Sequence, residues 1–317
     1  MRDLRIVFMG TPLFAVEILK ELVENNYNIV GVITAPDKPA GRGRKLHQSA
    51  VKEYALEKEL SILQPTNLKD EVFLEQLKKW NANLQIVVAF RMLPRAVWEM
   101  PEFGTFNLHA SLLPQYRGAA PINWAIINGE KKTGVTTFFI DDKIDTGAII
   151  LQEELSIQDD ETAGSLHNRL MKIGSKTVLD TVDLIKNDNV TTYLQTEKEQ
   201  EKLKTANKIY KETCKVDWSQ NTDNIYNHIR GLSPYPTAWT TLVNGEDELT
   251  IKIFEVSKEK TEHNHESGLV VSGKKNVKVA VIDGYIHLII VQLAGKKKMS
   301  IKDLLNGFEL KNNTKMR

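Results

Sequence analysis

A single cysteine, Cys214, stands in a chain of 317 residues. One thiol cannot form an internal disulfide, and no cysteine/histidine cluster has the spacing of a zinc site. That usage fits a reducing cytoplasm and a protein without a metal. Cys214 sits in Lys211-Glu-Thr-Cys-Lys-Val, which lacks the partner a catalytic thiol needs. Long apolar runs are also missing. No stretch approaches the roughly 20 apolar residues of a membrane helix. The opening Met1-Arg-Asp-Leu-Arg-Ile-Val-Phe-Met lacks the long apolar segment and cleavage site of a secretory signal and reads as a first strand. Excess charge is absent too: 42 Lys and Arg face 41 Asp and Glu, a net charge of +1. The whole-chain balance therefore announces no nucleic-acid partner. Residues 207–317 carry 17 basic and 13 acidic side chains. Solvated surface accounts for most such local imbalances.

What is present suits a soluble protein with two cores: 41% of residues are hydrophobic and 26% charged. At roughly 100–200 residues per domain, two domains are expected. The first half alternates strand-like and helix-like segments. Leu4–Met9 has strand length, Thr11-Pro12 offers an N-cap and a first-turn proline, and Ala15, Ile18, Leu19, Leu22 and Val23 follow at helical spacing. Strands are expected at Tyr27–Thr34, Leu60–Leu63, Leu84–Phe90, Thr105–His109 and Val135–Ile140. Helices are expected after Ser49, at Asp70–Trp80, from Pro94, at Ala120–Asn128 and over Glu161–Ile185. This alternation predicts an α/β fold with a doubly wound, mostly parallel sheet, whose ligands sit at the carboxyl ends of strands.

The texture changes near residue 188. Lys186–Lys204 is polar and charged and reads as a linker. Beyond it, short alternating runs at Leu249–Val256, Gly268–Val271, Val277–Ile282 and Ile286–Leu293 suggest a small β-barrel. The expected division is a domain at 1–187, a linker at 188–206 and a second domain at 207–317.

Several segments bear on chemistry. Phe8-Met-Gly-Thr-Pro-Leu-Phe-Ala has one glycine where a dinucleotide fingerprint needs three. The loop Ile33-Thr-Ala-Pro-Asp-Lys-Pro-Ala-Gly-Arg-Gly-Arg-Lys-Leu gathers Lys38, Arg42, Arg44 and Lys45. It reads either as a solvated loop or as an arm for nucleic-acid phosphates and bases. In Asn107-Leu-His-Ala-Ser-Leu-Leu-Pro, strand alternation puts Asn107 and His109 on one face. An amide donor and an imidazole converging at a sheet edge suit acyl-type chemistry, where they hold a developing oxyanion. Asp145, before Thr146-Gly147 on a turn, would orient His109 and stabilise its charged form. Structural capping is the alternative for all three.

Taken together, Phe8-Met-Gly-Thr-Pro-Leu-Phe-Ala, Pro36-Asp-Lys-Pro-Ala-Gly-Arg-Gly, Asn107-Leu-His-Ala-Ser-Leu-Leu-Pro and Asp145-Thr-Gly resemble the folate-dependent formyltransferase family. The basic loop, Ala206-Asn-Lys-Ile-Tyr-Lys, Val216-Asp-Trp, Ile229-Arg-Gly-Leu-Ser-Pro-Tyr-Pro-Thr-Ala-Trp, Leu293-Ala-Gly-Lys-Lys-Lys-Met and Leu305-Asn-Gly narrow the resemblance to its tRNA-acting branch. The resemblance implies a Rossmann-like catalytic domain and an OB-like barrel that binds tRNA. It implies 10-formyltetrahydrofolate as donor, methionyl-initiator tRNA as acceptor, and no metal. Asn107, His109 and Asp145 become the catalytic trio. Phe90, Met92 and Leu93, with Ser111, Leu112, Leu113 and Pro114, become the folate pocket. Lys38, Arg42, Arg44 and Lys45 become tRNA contacts. A cytoplasmic monomer is the default expectation. Three features depart from the family pattern: Gln85 stands in an acidic place, Phe90-Arg91 replaces a Tyr-Gly pair, and Lys211-Glu-Thr-Cys replaces a Lys-Glu-Glu run at a peripheral position.

Overall fold

A computed structural model describes residues 1–40, 45–195 and 203–317. Its elements run β1 (Ile6–Gly10), α1 (Leu13–Glu24), β2 (Ile29–Ile33), β3 (Lys38–Ala40), β4 (Lys45–His47), α2 (Ala50–Glu57), β5 (Ile62–Leu63), α3 (Glu71–Lys79), β6 (Leu84–Val88), α4 (Arg95–Trp98) and β7 (Thr105–His109). They continue with β8 (Arg117–Gly118), α5 (Pro121–Ile127), β9 (Lys132–Phe139), β10 (Ile149–Ser156), α6 (Ala163–Lys186), β11 (Thr205–Ala206) and α7 (Thr222–Leu232). Then come β12 (Ala238–Asn244), β13 (Asp247–Lys260), β14 (Val270–Ser272), β15 (Val277–Val281), β16 (Gly284–Leu293), β17 (Met299–Ser300), α8 (Ile301–Leu305) and β18 (Lys315–Met316).

The chain forms two compact units. One comprises Met1–Gly118, Thr133–Leu155 and His167–Thr205; the other comprises Ala119–Lys132, Ser156–Leu166 and Ala206–Arg317. The first unit is the doubly wound domain. Its sheet has the order β10-β9-β7-β6-β1-β2-β5. The pairs from β5 through β7 are parallel, and β9 joins β7 antiparallel. Strands β1 and β6 are buried along their whole length, as central strands covered on both faces must be. Strand order reverses between β1 and β6, so their carboxyl ends open the crevice where such sheets bind ligands.

Local chemistry explains most boundaries. The Ser49 hydroxyl accepts from the Lys52 N–H at 3.1 Å, capping α2 as expected, and the Asp70 carboxylate accepts from the Phe73 N–H at 3.0 Å, so Asp70 caps α3 and is not its first residue. Thr11 does not cap α1. Pro12 keeps an extended ψ of 176°, so it occupies the cap position itself and the helix begins at Leu13. Besides several strands of two or three residues, the longer strands β10 and β12 escaped the sequence reading. Strand β10 carries an exposed, glutamate-bearing stretch at the sheet edge, where charge discourages further pairing and blurs the strand signal. Strand β12 follows directly on a proline-rich turn.

The second unit is the antiparallel barrel, with strand order β14-β15-β16-β13-β12-β18 and β17 alongside β16. A bridge between Leu269 and Lys315 joins the two ends of that order and closes the seam. Along β12 every second residue points inward. The core beneath holds Trp218, Ile225, Ile229, Leu242, Ile253, Val279, Ile286 and Val291. Helix α7 packs over one side. Its Arg230, buried, donates to the Glu161 carbonyl at 2.8 Å, and its Gly231 carbonyl accepts from the Asn123 amide at 2.8 Å. A Cβ at Gly231 would lie 2.6 Å from the Ile127 side chain, so α5 and α7 meet where only glycine fits.

Candidate active site

Strand β7 ends at the crevice with Asn107 and His109 on one face. His109 is buried, and its Nε2 lies 2.8 Å from the Tyr116 carbonyl oxygen. A carbonyl only accepts, so Nε2 carries the proton, and Nδ1 is the lone-pair nitrogen of the neutral ring. Nδ1 faces the Asp145 carboxylate across 3.9 Å. The gap is too long for a direct hydrogen bond. Among the described residues, the Asn107 side chain makes no hydrogen bond. Its amide is thus a donor left available at the strand end.

Asp145 occupies a left-handed conformation, φ +56°, on the turn between β9 and β10. Its carboxylate accepts from the Gly118 N–H at 2.9 Å. Its carbonyl accepts from the Arg117 guanidinium and the Gln195 amide, both at 3.0 Å. Tyr116 at φ +61° and Ala89, just beyond β6, at φ +47° are also left-handed. Each such non-glycine residue costs of order 1–3 kcal/mol and persists only where its surroundings dictate it. Three of them border the same crevice.

The loop after His109 is held from beneath. The Ser111 hydroxyl donates to the Gln115 carbonyl at 2.7 Å. Thr136, fully buried on β9, donates to the Ser111 carbonyl at 2.7 Å and accepts from the Leu113 N–H at 3.2 Å and the Gln152 amide at 2.9 Å. Gln152 also donates to the Leu113 carbonyl at 2.9 Å. Replacing Thr136 by the isosteric valine strands these partners. It is expected to lower unfolding free energy by about 1–3 kcal/mol, measured by urea titration followed by circular dichroism.

The residues expected to line a folate pocket divide by exposure. Met92 is 70% exposed and Phe90 half-buried, both just beyond β6. Leu93 is buried in the core with Val87 and Val97. Ser111 and Leu113 are buried, Leu112 and Pro114 partly so, and the Leu113–Pro114 bond is cis. Arg91 donates to the Pro65 and Thr66 carbonyls, just beyond β5. Gln85 is buried and neutral, with its side-chain oxygen 3.1 Å from the Thr105 hydroxyl.

Of the basic loop, Arg42 and Arg44 lie outside the described residues. Lys38 and Lys45 stand on the paired strands β3 and β4. The loop is rooted at Asp37, which accepts from Lys52 at 2.6 Å and Gln64 at 2.8 Å. Those bonds, Lys52 first, hold the Asp37 carboxyl below its usual range. The Cys214 thiol is pushed up, chiefly by burial and then by Glu212, the opposite of an activated nucleophile. Among the described residues no group of three His, Cys, Asp or Glu side chains is arranged to hold a metal ion. No described helix is long and apolar enough to cross a membrane.

Sequence reasoning missed Arg117, Thr136, Gln152 and Gln195. Arg117 was within reach, since it lies just beyond the Asn107–Pro114 block. A threonine on a strand and glutamines on an edge and in a polar stretch carry no signal until the fold brings them in.

Comparisons with known proteins agree in direction. Residues 4–182 match the formyl transferase family, and residues 208–309 match the formyl transferase C-terminal domain. The chain is 61% identical to a methionyl-tRNA formyltransferase of Flavobacterium johnsoniae, with 100% of both chains covered. It is 56% identical to one of Bacteroides thetaiotaomicron, over 99% of this chain and 98% of that one. Among solved structures, the sugar 3N-formyl transferase WlaRD, with dTDP and 5-N-formyl-THF, superposes with a TM-score of 0.66 at 21% identity, covering 94% of this chain and all of that one. HypX from Aquifex aeolicus, in complex with tetrahydrofolic acid, gives 0.65 at 16% identity, covering 96% of this chain and 47% of that one.

Proposed function

The chain belongs to the formyl transferase family, and from that premise we propose how it works. It transfers a formyl group to methionyl-tRNA, with a folate as the source of the one-carbon unit. The donor is 10-formyltetrahydrofolate and the acceptor is the methionyl-initiator tRNA. The reading rests on one observation above the others. Asn107 and His109 share a strand face, and Asp145 faces the His109 ring across 3.9 Å.

The crevice suits a folate donor. Phe90 and Met92 offer apolar surface beyond β6, and the free Asn107 amide matches a reactive carbonyl. Bound 10-formyltetrahydrofolate supplies the formyl carbon and a nitrogen that can leave. When the methionyl amine attacks that carbon, negative charge grows on the formyl oxygen. Asn107 donates one hydrogen bond to it. His109, protonated on Nδ1, donates a second, because Nε2 is already committed to Tyr116. Asp145 stabilises the imidazolium and takes part in moving the amine proton. The amine nitrogen gains the formyl carbon, the folate nitrogen loses it, and the proton shed by the amine ends on the folate nitrogen.

Residues 1–187 carry this chemistry. Residues 207–317 bind the tRNA, and 188–206 join the two, with Tyr193 and Gln195 held against the sheet domain. The 38–45 loop, with Lys38, Arg42, Arg44 and Lys45, meets the acceptor end. The protein works as a cytoplasmic monomer. Arg42→Ala should raise the KM for methionyl-tRNA by about tenfold, the cost of one good Arg contact, and leave folate affinity unchanged by titration. Loss of tRNA and folate binding together would reject that division of labour. The decisive assay mixes protein, 10-formyltetrahydrofolate and either methionyl-initiator or methionyl-elongator tRNA. Formylation of the initiator alone is expected. Donor consumption without formylated tRNA would overturn the acceptor assignment.

A further inference from the structure

Gln195 lies 50 residues beyond Asp145, in the polar stretch that composition marks as a linker. Its amide orientation is fixed by partners of unambiguous type. The Oε1 atom accepts from Arg117 Nε at 3.1 Å and Nη2 at 2.8 Å, and a guanidinium only donates. The Nε2 group donates to the Asp145 carbonyl at 3.0 Å and the Gly147 carbonyl at 2.9 Å, and a carbonyl only accepts. Both amide protons and both oxygen lone pairs are therefore engaged. A shorter side chain does not span the distance, and a carboxylate in its place sets an acceptor against two acceptors.

The two carbonyls that Gln195 grips flank the left-handed turn of Asp145. Holding them together keeps the backbone in that conformation. The same turn directs the carboxylate to the Gly118 N–H and towards His109 Nδ1. The neighbouring Tyr193 ties the segment to β10. It exchanges backbone hydrogen bonds with Ile149, at 2.9 and 3.1 Å, and its hydroxyl donates to Gln152 at 3.0 Å. Gln152 in turn holds the Leu113 carbonyl and Thr136. Through Tyr193 and Gln195 one short strap thus reaches both loops that flank the His109–Asp145 pair.

We infer that Gln195 is a positioning residue for formyl transfer, acting through Asp145 by locking the turn that aims its carboxylate at His109. The inference rests on the reading above that Asp145 is catalytic. It is tested in the full-length protein with Gln195→Ala and Gln195→Glu, each alone and combined with Asp145→Asn. Each single Gln195 variant should lower kcat about 10- to 100-fold, the penalty for misplacing a reacting group by about 1 Å. KM values for donor and tRNA should stay within about twofold, because no binding contact is removed. On the Asp145→Asn background the same substitutions should cost less than about twofold, since their route to the chemistry is already cut. Gln195→Glu keeps the length and polarity of the side chain, so its kcat reads positioning even where the alanine variant folds poorly. Wild-type kcat in the Gln195 variants, or full additivity with Asp145→Asn, overturns the inference. Wild-type kcat in Asp145→Asn with Gln195 intact overturns the catalytic reading itself, and the inference with it.

Discussion

Asn107→Ala and His109→Ala are each expected to lower kcat for formyl transfer by about 10²–10³-fold, the usual cost of removing one donor from an oxyanion site. The two substitutions differ in what else they disturb. Among the described residues, Asn107 makes no side-chain hydrogen bond, so its removal leaves no structural partner stranded. Its effect should appear in kcat with folding and folate affinity nearly unchanged. His109→Ala also frees the Tyr116 carbonyl, its partner at 2.8 Å. A modest stability loss of about 1 kcal/mol should accompany the kinetic one. Because both residues serve one developing charge, the double variant should lose less than the product of the single losses. Single-turnover measurements with saturating donor and methionyl-tRNA check both points. An Asn107→Ala enzyme of normal turnover would remove the amide from the mechanism.

Trp218→Ala is expected to destabilise the barrel by about 3–5 kcal/mol, the range for deleting a large aromatic from a core. The indole is buried at 4% exposure and donates from Nε1 to the Thr240 hydroxyl at 3.0 Å. Thr240 itself donates to the Arg317 carbonyl at 2.8 Å. Trp218→Phe should therefore cost far less, since most of the ring volume stays and the Thr240 hydroxyl keeps that partner. Urea unfolding followed by far-ultraviolet circular dichroism separates the two variants without relying on the fluorescence that the substitution removes. Equal midpoints for Ala and wild type would mean that the core closes over the missing ring.

The sequence made some of this legible for definite physical reasons. Strand alternation is local, so the shared face of Asn107 and His109 on β7 could be read directly. The same holds for the Ser49 cap, whose partner lies three residues away. Asp145 was readable as a turn residue, but its left-handed backbone comes from long-range ties to Arg117 and Gln195. Thr136 looks like any strand threonine until Ser111 and Leu113 are folded over it. Thr11 failed as a cap because the extended Pro12 took its place. The polar stretch after residue 186 was read by composition alone. Composition is blind to a tyrosine and a glutamine whose partners lie in the sheet.

The two units are threaded through one another along the chain. Ala119–Lys132 and Ser156–Leu166 cluster with the barrel although both interrupt the sheet domain in sequence. A recombination event at residue 206 would carry the barrel strands and α7 into a new gene and leave those stretches behind. Arg230 would lose the Glu161 carbonyl, and Gly231 would lose the Asn123 amide that caps its own. The barrel is therefore a poor cassette for exon-like shuffling. Lineages carrying this architecture should diversify by altering loops in place, and chimaeras spliced at the apparent linker should be unstable unless all three segments come from one parent.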